Sequence, residues 1–180
     1  KLREVHPELW YVAPTRMEPW EDPAVVFSTK AGINAKTEER DDLVNVKMRD
    51  NARRIGEAAA LGDLSENSEY KFALEERDLL RARLAQVNHD LSIAQEIDPH
   101  DVPTNRVGVG SRVKLRLASG KERVMTFLGP FDAKPERNVY NYKAPISLKL
   151  MGLQVGDKAT IGLDGEDVDA RSDLYALGAV

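Results

Sequence analysis

The chain of 180 residues contains no cysteine, which excludes disulfides, thiol catalysis and every metal site that needs a thiolate. Its three histidines, His6, His89 and His100, are scattered, so a structural zinc site cannot be assembled from them. Nowhere is there an apolar run of the roughly 18 residues that a membrane-spanning helix needs. Nothing at the start has the basic n-region and apolar h-region of a signal peptide, and the expectation is a soluble cytoplasmic protein. A first residue of Lys rather than Met is what a piece of a longer chain, or a processed product, would show. A strong positive charge is also lacking: 26 basic against 30 acidic side chains leave a net charge of -4. That argues against a protein whose whole surface clamps nucleic acid. With 42% apolar and 31% charged residues the chain is too mixed for wholesale disorder.

What is present is unevenly distributed. Residues 1–27 hold four of the nine prolines (Pro7, Pro14, Pro19, Pro23) and both tryptophans, Trp10 and Trp20. Proline at that density forbids a regular helix or a central strand. The segment reads as an extended arm, or the end of a preceding module, whose Trp rings dock on something. From Ser28 to Ile97 there is no proline, and the apolar residues take a helical period. Tyr70, Ala73, Arg77, Leu80, Leu84, Val87, Leu91 and Ala94 form a heptad seam with one charged interruption. Ile33, Thr37, Arg40, Val44, Met48, Ala52, Ile55 and Ala59 offer a poorer partner seam. Gly62 stops the first helix, and Asp63 or Ser65 can cap the second. The expectation for residues 28–97 is an antiparallel coiled-coil hairpin with arms about 45 Å long at 1.5 Å per residue.

Asp98–Asn105, with Pro99 and Pro103, reads as a linker. Beyond it the period changes to two. Arg112–Leu117 alternates, Ser119-Gly120 turns, and Arg123–Leu128 begins the return. Ala159–Leu163 and Leu174–Leu177 are further strand candidates, and a short helical piece is expected over Leu148–Met151. Residues 106–180 thus read as a small antiparallel β domain with one short helix, and the fold class is α+β. Six basic residues against one acid lie within 106–123, either a solvated strand face or a partner-binding patch.

Gly62-Asp63-Leu64-Ser65-Glu66-Asn67-Ser68-Glu69-Tyr70, at the hairpin turn, is the one segment dense enough to carry chemistry. Asp63 and Glu66 stand three apart at the end of a narrow rod and could supply half of a hard-cation site. The same D-x-x-E spacing before a helix is also a capping box, so both readings stay open on those two residues. Tyr70 is equally a seam residue covering the turn.

This run resembles the tip signature of the GreA/GreB family of transcript cleavage factors. Upstream, Ser28–Gly32 is similar to the start of that family's first helix, at a matching distance from the tip. Downstream, Ala144-Pro145-Ile146, Leu150-Met151-Gly152 and Val155-Gly156-Asp157 are similar to its SPI, LLG and VGD segments. The resemblance covers about residues 28–178. It implies a coiled-coil N-terminal domain and an FKBP-like C-terminal domain. It also implies a role as an accessory factor of bacterial RNA polymerase rather than an enzyme. In such factors the C-terminal domain grips the rim of the polymerase secondary channel, and the hairpin brings two acids, here Asp63 and Glu66, to the active site. There they help hold a shared Mg²⁺ during hydrolysis of backtracked RNA; the factor has no cofactor of its own. By the same match Ser65, Asn67, Tyr70 and Lys71 would support the tip or the nascent RNA 3' end. Ala144, Pro145 and Ile146 would touch polymerase. Neither a membrane nor a small-molecule substrate is implied.

Two positions depart from the family pattern: Ala59 stands where the family commonly has Arg before Gly-Asp-Leu, and Leu74 where a basic residue usually follows Ala73. Lys71 or Arg77 are the candidates to substitute. The alternatives are a secondary-channel binder that does not stimulate cleavage, a prolyl isomerase, and a coiled-coil adaptor outside transcription.

Overall fold

The computed structural model describes residues 17–60, 67–116, 120–163 and 166–171. Strand β1 (Val26–Ser28) leads directly into α1 (Lys30–Asp42). Thr29 caps that helix, its hydroxyl accepting from Gly32 N at 3.1 Å. A π-helical segment, Leu43–Lys47, connects α1 without a break to α2 (Met48–Ala59). The returning helix α3 (Ser68–Ser92) is 25 residues long. Strand β2 (Ala94–Glu96) then pairs parallel with β1, tying the start and end of the hairpin together at its root.

The seam of α3 follows the heptad reading, with Ala73 and Val87 fully buried and its other members through Leu91 half-buried. Ala94, the last residue assigned to that seam, lies in β2 instead, because the helix ends at Ser92. The first arm departs from its expected seam. Leu43, Met48, Asn51, Ile55 and Ala58 face the partner helix, while Val44, Ala52 and Ala59 are exposed. A π turn inserts one residue into the helical ladder. The seam therefore jumps five positions from Leu43 to Met48; Met48 and Ile55 fall where expected, whereas Leu43, Asn51 and Ala58 take the places expected for Val44, Ala52 and Ala59.

Polar contacts fix the pairing of the two arms. Lys36 Nζ lies 3.1 Å from Asp90, and Arg83 Nε donates to Glu39 at 2.7 Å. Deeper along the rod, buried Asn51 donates from Nδ2 to Ala73 O and to Glu76 Oε2, both at 2.9 Å. A single satisfied Asn inside an apolar seam specifies register, because any slip would bury its amide unpaired.

A 3-10 turn, Pro99–Asp101, lies within the segment read as a linker. The body is a five-stranded sheet in the order β5-β4-β3-β7-β6, built from β3 (Arg112–Arg116), β4 (Glu122–Leu128), β5 (Val139–Asn141), β6 (Lys158–Leu163) and β7 (Glu166–Arg171). Pairing is antiparallel through β4-β3-β7-β6, while β5 joins β4 in parallel. Alternation places Val113 and Leu115 of β3 and Met125 and Phe127 of β4 on the buried face. They pack with Val107, Tyr142 and Leu150. The short helix, α4, spans Pro145–Leu148, three residues earlier than expected, because Pro145 suits a first helical position. Strands β5 and β7 were not expected; the proposed strand Leu174–Leu177 lies outside the described residues.

The body holds the hairpin root closely. Phe27 N donates to Tyr142 Oη at 3.1 Å, and the two rings meet edge to face at 6.5 Å. A Cβ on Gly129 would lie 2.0 Å from Phe27 O, so only glycine permits this approach of the two backbones. Lys143 Nζ donates to the carbonyls of Asp22 and Val25 at 3.1 and 2.8 Å. Earlier in the arm, Trp20 packs on the body core, and Glu18 accepts a two-pronged contact from Arg106 at 2.7 and 3.0 Å. Residues 1–16, including Trp10, lie outside the described residues. Among the described residues no helix is long and apolar enough to cross a membrane.

Candidate functional site at the hairpin tip

Asp63, Ser65 and Glu66 fall in residues 61–66, outside the described residues, as does Gly62. The shoulders of that segment are described. The first arm ends at Ala59, with Ala60 N donating to Gly56 O at 3.1 Å. The second begins at Ser68, and its cap is Asn67, whose side chain accepts from Tyr70 N at 3.0 Å. This corrects the expected cap: neither Asp63 nor Ser65 holds that place, because the helix starts after both. Asn67 also donates from Nδ2 to Ala58 O at 2.7 Å. One side chain thereby satisfies an orphan donor at the start of α3 and an orphan acceptor near the end of α2. It draws the two helix ends together on either side of the segment bearing the acids.

Of the other residues expected to support the tip, Tyr70 is half-buried on the seam, and Lys71 is exposed. Beside them Phe72, 72% exposed, stands out from α3. It borders a groove of about 890 Å³ together with Arg54, Glu57, Ala58, Ala73 and Glu76. The sequence reading missed Phe72, which lies off the heptad seam and is apolar where such a position is normally polar. The departures are also placed. Ala59 is exposed, Leu74 is half-buried, and Arg77 bonds its neighbour Asp78 at 3.0 Å through Nε.

Electrostatics along the rod come from paired carboxylates. Burial opposes the charge of Glu39, but hydrogen bonds from Arg83 and Lys36 outweigh it and hold the carboxyl below its ordinary range. Asp90 behaves alike, burial being overcome by Gln86 and Lys36. Glu76 is lowered chiefly by its hydrogen bond from Arg54, then by that from Asn51. Among the described residues no group of three His, Asp or Glu side chains could hold a metal ion.

On the body, Ala144, Pro145 and Ile146 open α4. Pro145 is exposed, whereas Ile146 packs against the core. Leu148 and Val155 add exposed apolar surface, 46% and 61%. Within 106–123, Arg106 pairs with Glu18, Lys114 and Arg116 share Glu122, and Arg123 bonds the neutral acceptors Asn138 and Tyr140, so two carboxylates offset part of the basic charge. Phe127 and Tyr142 are fully buried in the core.

Both halves of the chain match known family profiles. "Transcription elongation factor, N-terminal" covers residues 26–95, and "Transcription elongation factor, GreA/GreB, C-term" covers residues 102–171. The transcription elongation factor GreA of Treponema pallidum (strain Nichols) is 37% identical over 127 residues, 70% of this chain and 78% of that protein. GreA of Chlamydia trachomatis serovar D is 34% identical over 142 residues, 79% of this chain but 20% of that much longer protein. Among solved structures, the GreA factor homolog 1 (Gfh1) protein of Thermus thermophilus superposes with a TM-score of 0.39 at 21% identity, over 84% of this chain and 97% of that one. Two consecutive profile matches spanning hairpin and body, with a relative at 37% identity, show that the chain belongs to the GreA/GreB family of transcription elongation factors.

Proposed function

We propose that the chain binds bacterial RNA polymerase through its secondary channel and stimulates the polymerase's own cleavage of backtracked RNA. The observation that carries this reading is the intact run Gly62–Tyr70 at the far end of a rod whose two halves match the family. The body supplies the grip, through the apolar surface around Ala144, Pro145 and Ile146. The hairpin supplies reach, and its acids Asp63 and Glu66 meet the nascent RNA 3' end inside the enzyme. Catalysis belongs to the polymerase; the factor is an accessory.

Asp63 and Glu66 are the residues that would share a Mg²⁺ with polymerase. Two carboxylates are hard oxygen donors that suit this cation but leave most of its coordination to others. When bound, such an ion activates water and stabilises a leaving oxygen. With Asn67 serving as the cap of α3, helix capping does not require either acid. Tyr70 and Lys71 flank the tip, Lys71 being the exposed cation nearest to it in sequence on α3.

A second reading, channel binding without cleavage, is favoured by Ala59 and Leu74 in place of the family's basic residues and by the pairing of Arg77 with Asp78. RNA cleavage in stalled, backtracked polymerase complexes, with and without the full chain, separates the two. Shortened RNA appearing faster with the chain supports the first reading. Unchanged cleavage with measurable binding supports the second.

A further inference from the structure

We infer that Asp132 is a positioning residue, setting the direction in which the hairpin leaves the body; its consequence for activity rests on the role proposed above for Asp63 and Glu66. Asp132 lies in the loop after β4, yet its carboxylate faces the start of α1, more than a hundred residues earlier. Oδ2 accepts from Ser28 Oγ at 2.6 Å and from Thr29 N at 2.9 Å, and Oδ1 accepts from Thr29 Oγ1. Ser28 is fully buried. Thr29 is the cap of α1, so the body grips the helix at the residue that defines where its axis begins. A carboxylate at a helix N-terminus is also favoured by the unpaired N–H groups there. Gly32 completes the joint: a Cβ at that position would lie 2.4 Å from Asp132 Oδ1 and 2.5 Å from Ser28 Oγ.

Other contacts at the root act elsewhere. Tyr142, Gly129 and Lys143 hold β1 and the chain before it, and Lys36 stacks over Phe131 at 5.4 Å one turn further along α1. Among the described residues, Asp132 is the body side chain hydrogen-bonded to the helix cap. Leverage makes that contact matter. Over an arm of about 45 Å, a tilt of about 10° at the root moves the tip by about 8 Å. Ligands of Mg²⁺ must arrive at about 2.1 Å from the ion, so such an error removes them from the site.

The test uses the full chain, whose lack of cysteine leaves Glu75→Cys and Lys149→Cys, both at exposed positions, as its two spin-label sites. Two unlike lesions are compared. Asp132→Ala removes the acceptor. Gly32→Ala removes no hydrogen-bonding group and raises helix propensity, but its methyl forces the joint apart. Both variants should keep the far-UV circular dichroism of the parent while the label-to-label distance shifts or broadens by about 3–4 Å, the scale that a tilt of about 10° gives at Glu75, about 26 Å from the root. Ser28→Ala, which removes one donor, should give a smaller change in the same direction. In the polymerase assay the two larger lesions should cut cleavage at saturating factor by about tenfold or more, with half-saturating concentration within about twofold of the parent. An unchanged distance distribution in Asp132→Ala and Gly32→Ala overturns the inference. A parent chain that stimulates no cleavage overturns the proposed function, while the distance measurement still decides the joint.

Discussion

Asn67 joins the two arms of the hairpin at Ala58, its Nδ2 lying 2.7 Å from the Ala58 carbonyl while its own carbonyl oxygen caps α3. This bridge closes the rod immediately below the acidic tip. Removing it with Asn67→Ala should lower stability by about 1–2 kcal/mol, the range for a lost cap. Asn67→Asp keeps the cap acceptor but loses the amide donor, and should fall between parent and alanine variant. Urea unfolding followed by circular dichroism measures both. If alanine costs nothing, the bridge does not hold in solution.

A carboxyl with a lower pKa in the folded than in the unfolded chain stabilises the fold at pH above its unfolded value. That contribution disappears as pH falls through the folded value. Glu39 and Glu76 are held below the ordinary 4.5, and Asp90 below 3.8, by partners on or across the rod. The melting temperature should therefore be nearly level just above pH 4.5 and drop on acidification below it. Glu39→Gln should be less stable than the parent at neutral pH and lose less on acidification. Identical slopes for the two proteins would show that this ion-pair network does not couple to folding.

At the root, Tyr142→Phe removes the acceptor of Phe27 N and leaves that N–H unmatched. A buried donor without a partner costs about 1–3 kcal/mol, and denaturant unfolding should show a loss of that size. The phenol itself is held above its usual range, mainly by burial, so it remains neutral over the whole useful pH range. A pH-dependent loss in the variant would therefore need another source.

Much of this arrangement is legible in the residues, and the failures have physical causes. The seam of α3 shows because its apolar positions keep a steady three-four interval. The first arm slips because a π turn adds one residue at Leu43–Lys47, a change that apolar spacing alone does not reveal. Strands β1 and β2 are three residues each, too short for alternation to register. Asp63, Ser65, Asn67 and Ser68 are all good cap residues within six positions, so composition could not choose Asn67. The contact of Asp132 with Ser28 and Thr29 joins distant parts of the chain and has no local signature at all. Asp63 and Glu66, by contrast, stand out through the motif around them.

Basic residues at the tip should strengthen RNA contact through phosphate neutralisation. Ala59 is exposed and can take Arg with little disturbance; Leu74 is half-buried, and its long replacement can reach solvent from there. The Ala59→Arg, Leu74→Arg double variant should cleave faster than the parent at low salt, most clearly on long backtracks. The advantage should shrink as salt is raised, because screening shortens the reach of the charges. No gain at low salt would mean that the tip already has its cations, Lys71 first among them.

The most direct measurement compares Asp63→Asn and Glu66→Gln with the parent chain in stalled, backtracked polymerase complexes, recording cleavage and binding together. Each variant should bind polymerase as the parent does, retain the same helical circular dichroism, and lose stimulated cleavage. Cleavage that persists in either variant, or disappears only together with binding and helicity, would contradict the role given to the two acids.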